Sequence, residues 1–167
     1  MARGRGQRLP PTERLWDANT TCDYLKGAEW LKPDAEQIIE QAKNDETRIY
    51  VSTLAFAEVA FLGTAIPDTD AEGMIQEFFV RSYVIAINLD QLVGERARGL
   101  IRLYSKSHRL EPEDAVYMAS ALVWDIPILE TRDKVLHSLS TLENCDDGTP
   151  LVIEPPKYQV VGPPRLL

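Results

Sequence analysis

The chain has 167 residues, with 18 Lys and Arg against 26 Asp and Glu, and a formal net charge of −8 at pH 7. A hydrophobic fraction of 44% and a charged fraction of 26% are typical of a folded globular domain and exclude a collagen-like or low-complexity chain. The acidic balance argues against a protein that only coats nucleic acid, because such binding depends on Lys and Arg contacts to phosphate. No apolar run is long enough to span a membrane and no apolar secretory segment opens the chain, so we expect a cytoplasmic protein without membrane contact.

The composition divides the chain into three parts. Residues 1–12 form a basic, Gly- and Pro-containing lead that we expect to be disordered, with an RNA-contacting arm as the alternative. Residues 13–154 form a single domain, because nothing inside them has the composition of a linker. Residues 155–167 are Pro-rich and are predicted to trail over the surface of that domain.

Short apolar runs alternate with helical patterns from one end of the domain to the other. In chain order, the predicted elements are a strand over 14–16, helices over 20–26 and 33–43, a strand over 48–51, helices over 53–62 and 71–82, a strand over 83–87, helices over 91–108 and 112–124, a strand over 126–129, a helix over 134–139 and a strand over 151–153. Ser52, Asp70 and Asp90 are the predicted N-caps of three of these helices. The alternation predicts an α/β fold with a mainly parallel central sheet and helices on both faces.

Two acids follow predicted strands at the edge of the sheet where ligands bind in α/β proteins. Asp17 comes directly after the strand over 14–16, and Asp133 follows the strand over 126–129 after three intervening residues. An acid in this position is also a common helix cap, so each has a structural explanation as well as a functional one.

Two further acids lie on predicted helices. Glu58 shares a helix face with Leu54, Phe61 and Leu62, where a buried carboxylate would need a partner or a metal. The alternative places Glu58 at the rim of that face, with its carboxylate in water. Asp114 lies at the edge of the apolar face of the helix that begins at Pro112, where it could also simply complement the helix dipole. The neighbouring acid, Glu113, is predicted to point more toward solvent.

Brought together at one sheet edge, Asp17, Glu58, Asp114 and Asp133 would repel one another unless a cation lay between them. Carboxylate oxygens are the ligands that Mg²⁺ and Mn²⁺ prefer, and such a site can polarise a phosphodiester and activate water. The two cysteines and two histidines have neither zinc nor disulfide spacing. The residues therefore favour hydrolysis assisted by a divalent cation.

Four segments in order resemble PIN-domain ribonucleases, of the kind found as VapC toxins in VapBC toxin–antitoxin pairs. They are residues 15–27 (LWDANTTCDYLKG), 51–59 (VSTLAFAEV), 110–122 (LEPEDAVYMASAL) and 128–136 (ILETRDKVL). One position departs from the family pattern: Glu130, before Thr131, stands where an apolar or small residue is common. We expect Glu130 either to point away from the core or to add charge to the site.

The resemblance implies a metal-dependent endoribonuclease that hydrolyses RNA by water activated by Mg²⁺ or Mn²⁺. It makes Asp17, Glu58, Asp114 and Asp133 the catalytic residues and the metal ligands. Asn19 and Thr131 would be supporting polar residues, although Asn19 could instead be a helix cap and Thr131 an ordinary loop hydroxyl. The implied partners are an RNA substrate, a cognate antitoxin protein and a second copy of the chain; the apolar residues 78–80 could serve that interface or the core.

Basic residues near the acids are candidates for substrate contacts. Arg98, Arg102, Lys106 and Arg109 form a basic stripe on the helix over 91–108, and Arg132 and Lys134 flank Asp133. The alternative for each group is an ordinary solvated surface.

Two other functions compete with the nuclease. The segment over 17–20 loosely resembles the loop of phosphatases that use an aspartate nucleophile, but Asn19 stands where the second aspartate belongs. A non-catalytic PIN-like module that binds RNA or protein is the other alternative, and the presence of all four acids argues against it.

Overall fold

The computed structural model describes residues 10–159, and within them five strands alternate with seven helices. The strands are β1 (Thr12–Trp16), β2 (Thr47–Ser52), β3 (Val84–Ile87), β4 (Ile128–Glu130) and β5 (Val152–Glu154). The helices are α1 (Ala18–Leu25), α2 (Lys32–Lys43), α3 (Thr53–Glu58), α4 (Asp68–Phe79), α5 (Gln91–His108), α6 (Pro112–Val123) and α7 (Lys134–Ser138). The predictions for most of the basic lead and for the end of the tail lie outside the described residues.

The five strands form one sheet in the order β3-β2-β1-β4-β5, and every neighbouring pair is parallel. The predicted fold class, a parallel sheet flanked by helices, is confirmed. The chain moves outward from β1 through β2 to β3, then crosses back and adds β4 on the other side of β1. The strand order therefore reverses between β1 and β4, and in such sheets the crevice at the carboxyl ends of these two strands is where ligands bind.

The two faces of the sheet are covered by separate apolar clusters. Leu15 and Trp16 are both fully buried, and as consecutive strand residues they point to opposite faces. Leu15 belongs to the cluster that contains Leu100 of α5 and Met118 of α6, whereas Trp16 packs with α2 and α4. Trp16 stacks on Phe78 of α4 with ring centroids 6.1 Å apart. Of the apolar residues 78–80, Phe78 is therefore core.

Several local predictions are confirmed at the helix starts. Ser52 caps α3 and accepts a hydrogen bond from the backbone N–H of Leu54 at 3.2 Å, and Asp90 caps α5 and accepts from Val93 at 3.0 Å. Pro33 and Pro112 lie in the first turns of α2 and α6, where a missing N–H costs nothing. These side chains satisfy or avoid backbone donors that the helix itself cannot pair.

Several helix bounds differ from the prediction: α1 begins at Ala18 instead of residue 20, and α4 ends at Phe79 instead of residue 82. Two further differences concern a cap and the site. Helix α4 begins at Asp68 with Pro67 as its N-cap, so Asp70 lies inside the first turn instead of capping it. Helix α3 ends at Glu58 rather than near Leu62, because Val59 adopts φ −83° and ψ 71°, which is not helical. Within residues 10–159, none of the helices is both long and apolar enough to cross a membrane.

The first residues of the Pro-rich tail lie against α2. The backbone N–H of Tyr158 donates to Asp34 Oδ1 at 2.8 Å, and Gln41 Nε2 donates to the carbonyl of Gln159 at 2.9 Å. The described part of the tail therefore continues across the α2 face of the sheet after β5 ends.

Candidate functional site

Asp17 lies at the carboxyl end of β1, beside the point where the strand order reverses. It is the N-cap of α1, and its Oδ1 accepts a hydrogen bond from the backbone N–H of Thr20 at 2.7 Å. Its Oδ2 accepts from the hydroxyl of Thr131 at 2.5 Å, which ties β1 to the loop after β4. Burial raises the pKa of Asp17, while the hydrogen bonds from Thr131 and Thr20 oppose this shift. Asp17 is thus both a helix cap and a member of the site.

Thr131 links Asp17 to Asp133. The Thr131 Oγ1 that donates to Asp17 also accepts a hydrogen bond from the backbone N–H of Asp133 at 3.0 Å. Asp133 caps α7: its Oδ1 accepts from the backbone N–H groups of Val135 at 2.6 Å and Leu136 at 3.3 Å. The fully buried Thr131 therefore fixes the positions of Asp17 and Asp133 relative to each other.

Asp114 reaches the same place from the first turn of α6. Its pKa is raised to about 6, first by burial and then by the negative charges of Asp133 and Asp17, with smaller effects from Glu111 and Glu113. Asp114 also lines the same surface depression as Asp17, and Thr131 joins Asp17 to Asp133. These three acids, from three separate segments, therefore lie near the edge where β1 and β4 end.

A depression of about 340 Å³ opens beside Asp17 and Asp114. Its lining consists of Asp17, Ala18, Asn19, Cys22, Glu58, Glu113, Asp114 and Tyr117. Four of these eight side chains are carboxylates and none is basic. Asn19 lies here as predicted, and its alternative role as a helix cap is wrong because Asp17 caps α1.

Glu58 borders the depression from an exposed position, which agrees with the alternative that placed it at the rim of the apolar face and not with a buried carboxylate. It is an exposed residue at the end of α3, so it does not sit on a buried apolar face, and Phe61 beyond it is 69% exposed. The hydroxyl of Tyr117 donates to Glu58 Oε2. This contact joins α3 to α6 and turns the carboxylate toward the other acids.

Sequence reasoning missed Tyr117 and underestimated Glu113. Tyr117 is buried, and its hydrogen bond to Glu58 spans 59 positions in the chain. Its three-residue spacing from Asp114 on one helix was the available signal, since residues three apart share a helix face. Glu113 was predicted to face solvent, and although exposed it also lines the depression.

Glu130 neither points away from the core nor joins the site. It is fully buried on the Trp16 side of the sheet, where its Oε1 pairs with Arg14 at 2.5 Å and its Oε2 accepts from the indole N–H of Trp16 at 2.6 Å. Burial raises its pKa to about 7, although Arg14 and Trp16 favour the carboxylate. Only the backbone carbonyl of Glu130 reaches the site, where it accepts from the hydroxyl of Thr20 at 3.0 Å.

The basic candidates differ in how firmly they are held. Arg98, Arg102, Lys106 and Arg109 are exposed on α5 and beyond its end, and Lys134 is exposed at the start of α7. Arg132, between Thr131 and Asp133, forms an ion pair with Asp23 at 2.9 Å. A role of any of these residues in substrate binding stays a prediction.

The chemistry of the acids fits a hard divalent cation. Within residues 10–159, no group of three or more His, Cys, Asp or Glu side chains is already arranged to hold a metal ion. The donors that do converge are all carboxylate oxygens, whose mutual repulsion a cation would relieve. Asp17 and Asp133 are oriented by hydrogen bonds from Thr131 and from backbone N–H groups, as metal-binding carboxylates usually are. Asp17, Asp114, Asp133 and Glu58 are the residues that would hold it.

Comparison with models of known protein families gives no match, and no curated protein matches the chain either. The candidate site therefore rests on its geometry and on the sequence resemblance described above.

The raised pKa of Asp114 predicts a pH-dependent effect on stability. The folded pKa of about 6 lies above the ordinary value of 3.8, so this carboxyl stabilises the fold fully only below about pH 4 and loses that contribution as the pH rises through 6. In EDTA we expect Asp114→Asn to raise the free energy of unfolding by roughly 1–2 kcal/mol at pH 8 and to leave it nearly unchanged at pH 4. Urea unfolding at the two pH values measures this. An equal effect at both would mean that Asp114 is not in a crowded acidic site.

Proposed function

We propose that this protein is an endoribonuclease of the PIN type that depends on Mg²⁺ or Mn²⁺. The observation that carries the proposal is the convergence of Asp17, Asp114 and Asp133 at the strand-order reversal, with Thr131 hydrogen-bonded to two of them. Helix capping accounts for Asp17 and Asp133 singly, but it does not account for Asp114 beside them, where burial and their charges raise its pKa and lower stability near neutral pH. Ionisable groups whose pKa is shifted at the expense of stability are common at functional sites.

Each member of the site has a distinct task in this proposal. Asp17, Asp114 and Asp133 bind the cation, and Glu58 completes the set. Thr131 and the backbone N–H of Thr20 fix the two oxygens of Asp17, so the carboxylate needs no reorganisation when substrate arrives. Tyr117 holds Glu58 in the same way from α6. Asn19, exposed in the first turn of α1, is available to contact the substrate or a bound water.

The bound Mg²⁺ or Mn²⁺ would act as a Lewis acid that activates water and offsets negative charge on the phosphoryl oxygens. The residues of the chain position it and leave the depression open to an RNA strand. In the alternative phosphatase mechanism Asp17 would be the nucleophile. The loop has Asn19 where the second aspartate belongs, and that mechanism assigns no role to Glu58.

A toxin role in a toxin–antitoxin pair, a cytoplasmic location, a cognate antitoxin and a homodimer belong to the proposal through the resemblance to VapC proteins. Phe78 lies in the core, but Val80 beside it is 80% exposed and is available to a partner surface.

Incubation of the purified protein with a mixed RNA pool tests the nuclease directly. We expect cleavage in Mg²⁺ or Mn²⁺, none in EDTA, and none by Asp17→Asn, which keeps an oxygen to cap α1 but loses the charge. Parallel metal titration of wild type and variant reports binding of the cation separately from cleavage. Absence of both cleavage and Mg²⁺ binding would instead favour a non-catalytic binding module.

A further inference from the structure

Next to the site, Asp23 carries a buried carboxylate that has no role in the proposed mechanism. It lies on α1, six residues after Asp17, and is only 2% exposed. A carboxylate removed from water in this way needs a compensating charge. Two cations lie within ion-pair distance, Arg132 NH1 at 2.9 Å from Oδ2 and Lys26 Nζ at 3.1 Å from Oδ1, although within residues 10–159 Oδ2 accepts no hydrogen bond of good geometry.

The ion pair between Asp23 and Arg132 joins the two segments that carry the acids. Arg132 stands between Thr131 and Asp133, and Asp23 lies on the helix that Asp17 caps. Thr131 is hydrogen-bonded to the carboxylate of Asp17 and to the backbone N–H of Asp133, so Arg132 extends from a segment that is fixed to the site. Its own side chain lies outside the lining of the depression.

Part of the Arg132 side chain contacts Asp23, and the rest is exposed to solvent. Its side chain is 52% exposed although its guanidinium contacts a buried carboxylate. A guanidinium has five N–H donors in a fixed plane, so the contact of NH1 with Asp23 leaves donors for a second anion. Two cations on one carboxylate also leave a local net positive charge beside a strongly acidic depression.

An RNA strand that enters the depression brings phosphates toward at least four carboxylates. A fixed basic side chain beside the acids would position the strand, because phosphate contacts set the register and orientation of a nucleic acid on a protein. Within residues 10–159, the exposed residues of the α5 stripe have no comparable buried anchor. An arginine paired with a buried acid loses less entropy on binding.

We propose that Arg132 binds a backbone phosphate of the RNA substrate and that Asp23 is a positioning residue that aims its guanidinium at that phosphate. This inference rests on the proposed function. It also makes an unusual prediction for Asp23: removal of its negative charge should weaken the binding of a polyanion, although simple electrostatics predicts the opposite.

The test measures the affinity for a short fluorescein-labelled single-stranded RNA by anisotropy, in Mg²⁺ and in an Asp114→Asn background that prevents cleavage. We expect Arg132→Gln to weaken binding about 5- to 10-fold and to reduce the slope of log Kd against log salt by about 0.7, the loss of one phosphate contact. Asp23→Asn should weaken binding about threefold with the slope unchanged, and the double variant should resemble Arg132→Gln alone.

Arg48→Gln is the matched control, because Arg48 is 51% exposed and paired with Glu13 at 3.5 Å on the other side of β1. Thermal unfolding of each variant separates loss of binding from loss of fold, and Arg132→Lys should recover the salt slope but not the full affinity. Unchanged binding in Arg132→Gln, or tighter binding in Asp23→Asn, would overturn the inference.

The outcomes also separate the inference from the proposed function. If the wild type cleaves RNA but Arg132→Gln binds normally, the nuclease stands and the role of Arg132 is wrong. If the variants change the salt dependence of RNA binding as expected but RNA is never cleaved, Arg132 contacts phosphate in a protein that binds RNA without cleaving it. If no RNA is bound, both proposals are wrong.

Discussion

Asp114→Asn is expected to lower kcat for metal-dependent RNA cleavage by about a thousandfold, equivalent to roughly 4 kcal/mol of transition-state stabilisation. The reason is that the substitution removes one of the four charges that would hold the cation, while the size and shape of the side chain stay the same. Asp114 is only partly buried and lies in the first turn of α6, so we expect the fold to survive. Cleavage rates in Mg²⁺ on an RNA from the pool, with circular dichroism as a check, measure the effect.

Glu111→Gln is the control for that experiment. It removes one negative charge three residues earlier, from an exposed residue at the N-cap of α6 that makes no side-chain cap hydrogen bond. We expect its kcat to stay within about twofold of wild type, since long-range effects of surface charges are screened by salt. Cleavage by Asp114→Asn at the wild-type rate would remove Asp114 from the site, and an equal loss in both variants would indicate general electrostatics instead.

Arg14→Met is expected to reduce the free energy of unfolding by about 3–5 kcal/mol, the largest effect on stability that we predict. Arg14 and Glu130 are 1% and 0% exposed, so the substitution leaves a buried carboxylate without its cation on the Trp16 side of the sheet. It also removes the hydrogen bond from Arg14 Nε to Thr47 Oγ1 at 3.1 Å. Urea unfolding at pH 8 measures the change.

Two further measurements make this prediction specific. Burial already raises the folded pKa of Glu130 above its ordinary value of 4.5, to about 7, and loss of Arg14 should raise it further. Stability of Arg14→Met should therefore fall as the pH rises from about 5 to 8, because the ionised carboxylate is the costly form. Addition of Glu130→Gln should recover part of the loss, since the amide carries no charge. A loss that is independent of pH and unaffected by Glu130→Gln would mean that packing dominates.

The individual acids were predictable because local rules place them. Asp17 and Asp133 each follow a strand and precede a helix, and the carboxyl ends of parallel strands share one edge of the sheet. Periodicity placed Asp114 at the edge of the apolar face of α6, and it is partly buried there. The same rules identified Ser52 and Asp90 as helix caps.

Long-range contacts were not predictable in this way. Arg14 and Glu130 are 116 positions apart, and no local pattern marks a charged residue in a strand as half of a buried pair. The family pattern led to two expectations for Glu130, and neither included an ion pair with Arg14 on the Trp16 side of the sheet. The end of α3 at Val59 was also misjudged, and the hydrogen bond to Glu58 comes from a tyrosine on a distant helix, which no local pattern indicates.

By itself, the sequence determined which elements form, that their sheet is parallel, and which acids lie where strands end. Periodicity, caps and turn residues act over a few positions, so they can be read without knowing the fold. Only the tertiary structure decided the strand order, and with it that β1 and β4 are neighbours and that Thr131 reaches Asp17. It also decided that Asp23 anchors Arg132 and that Glu130 pairs with Arg14. A buried charge is tolerated only with a partner, and which partner it meets depends on how distant segments pack.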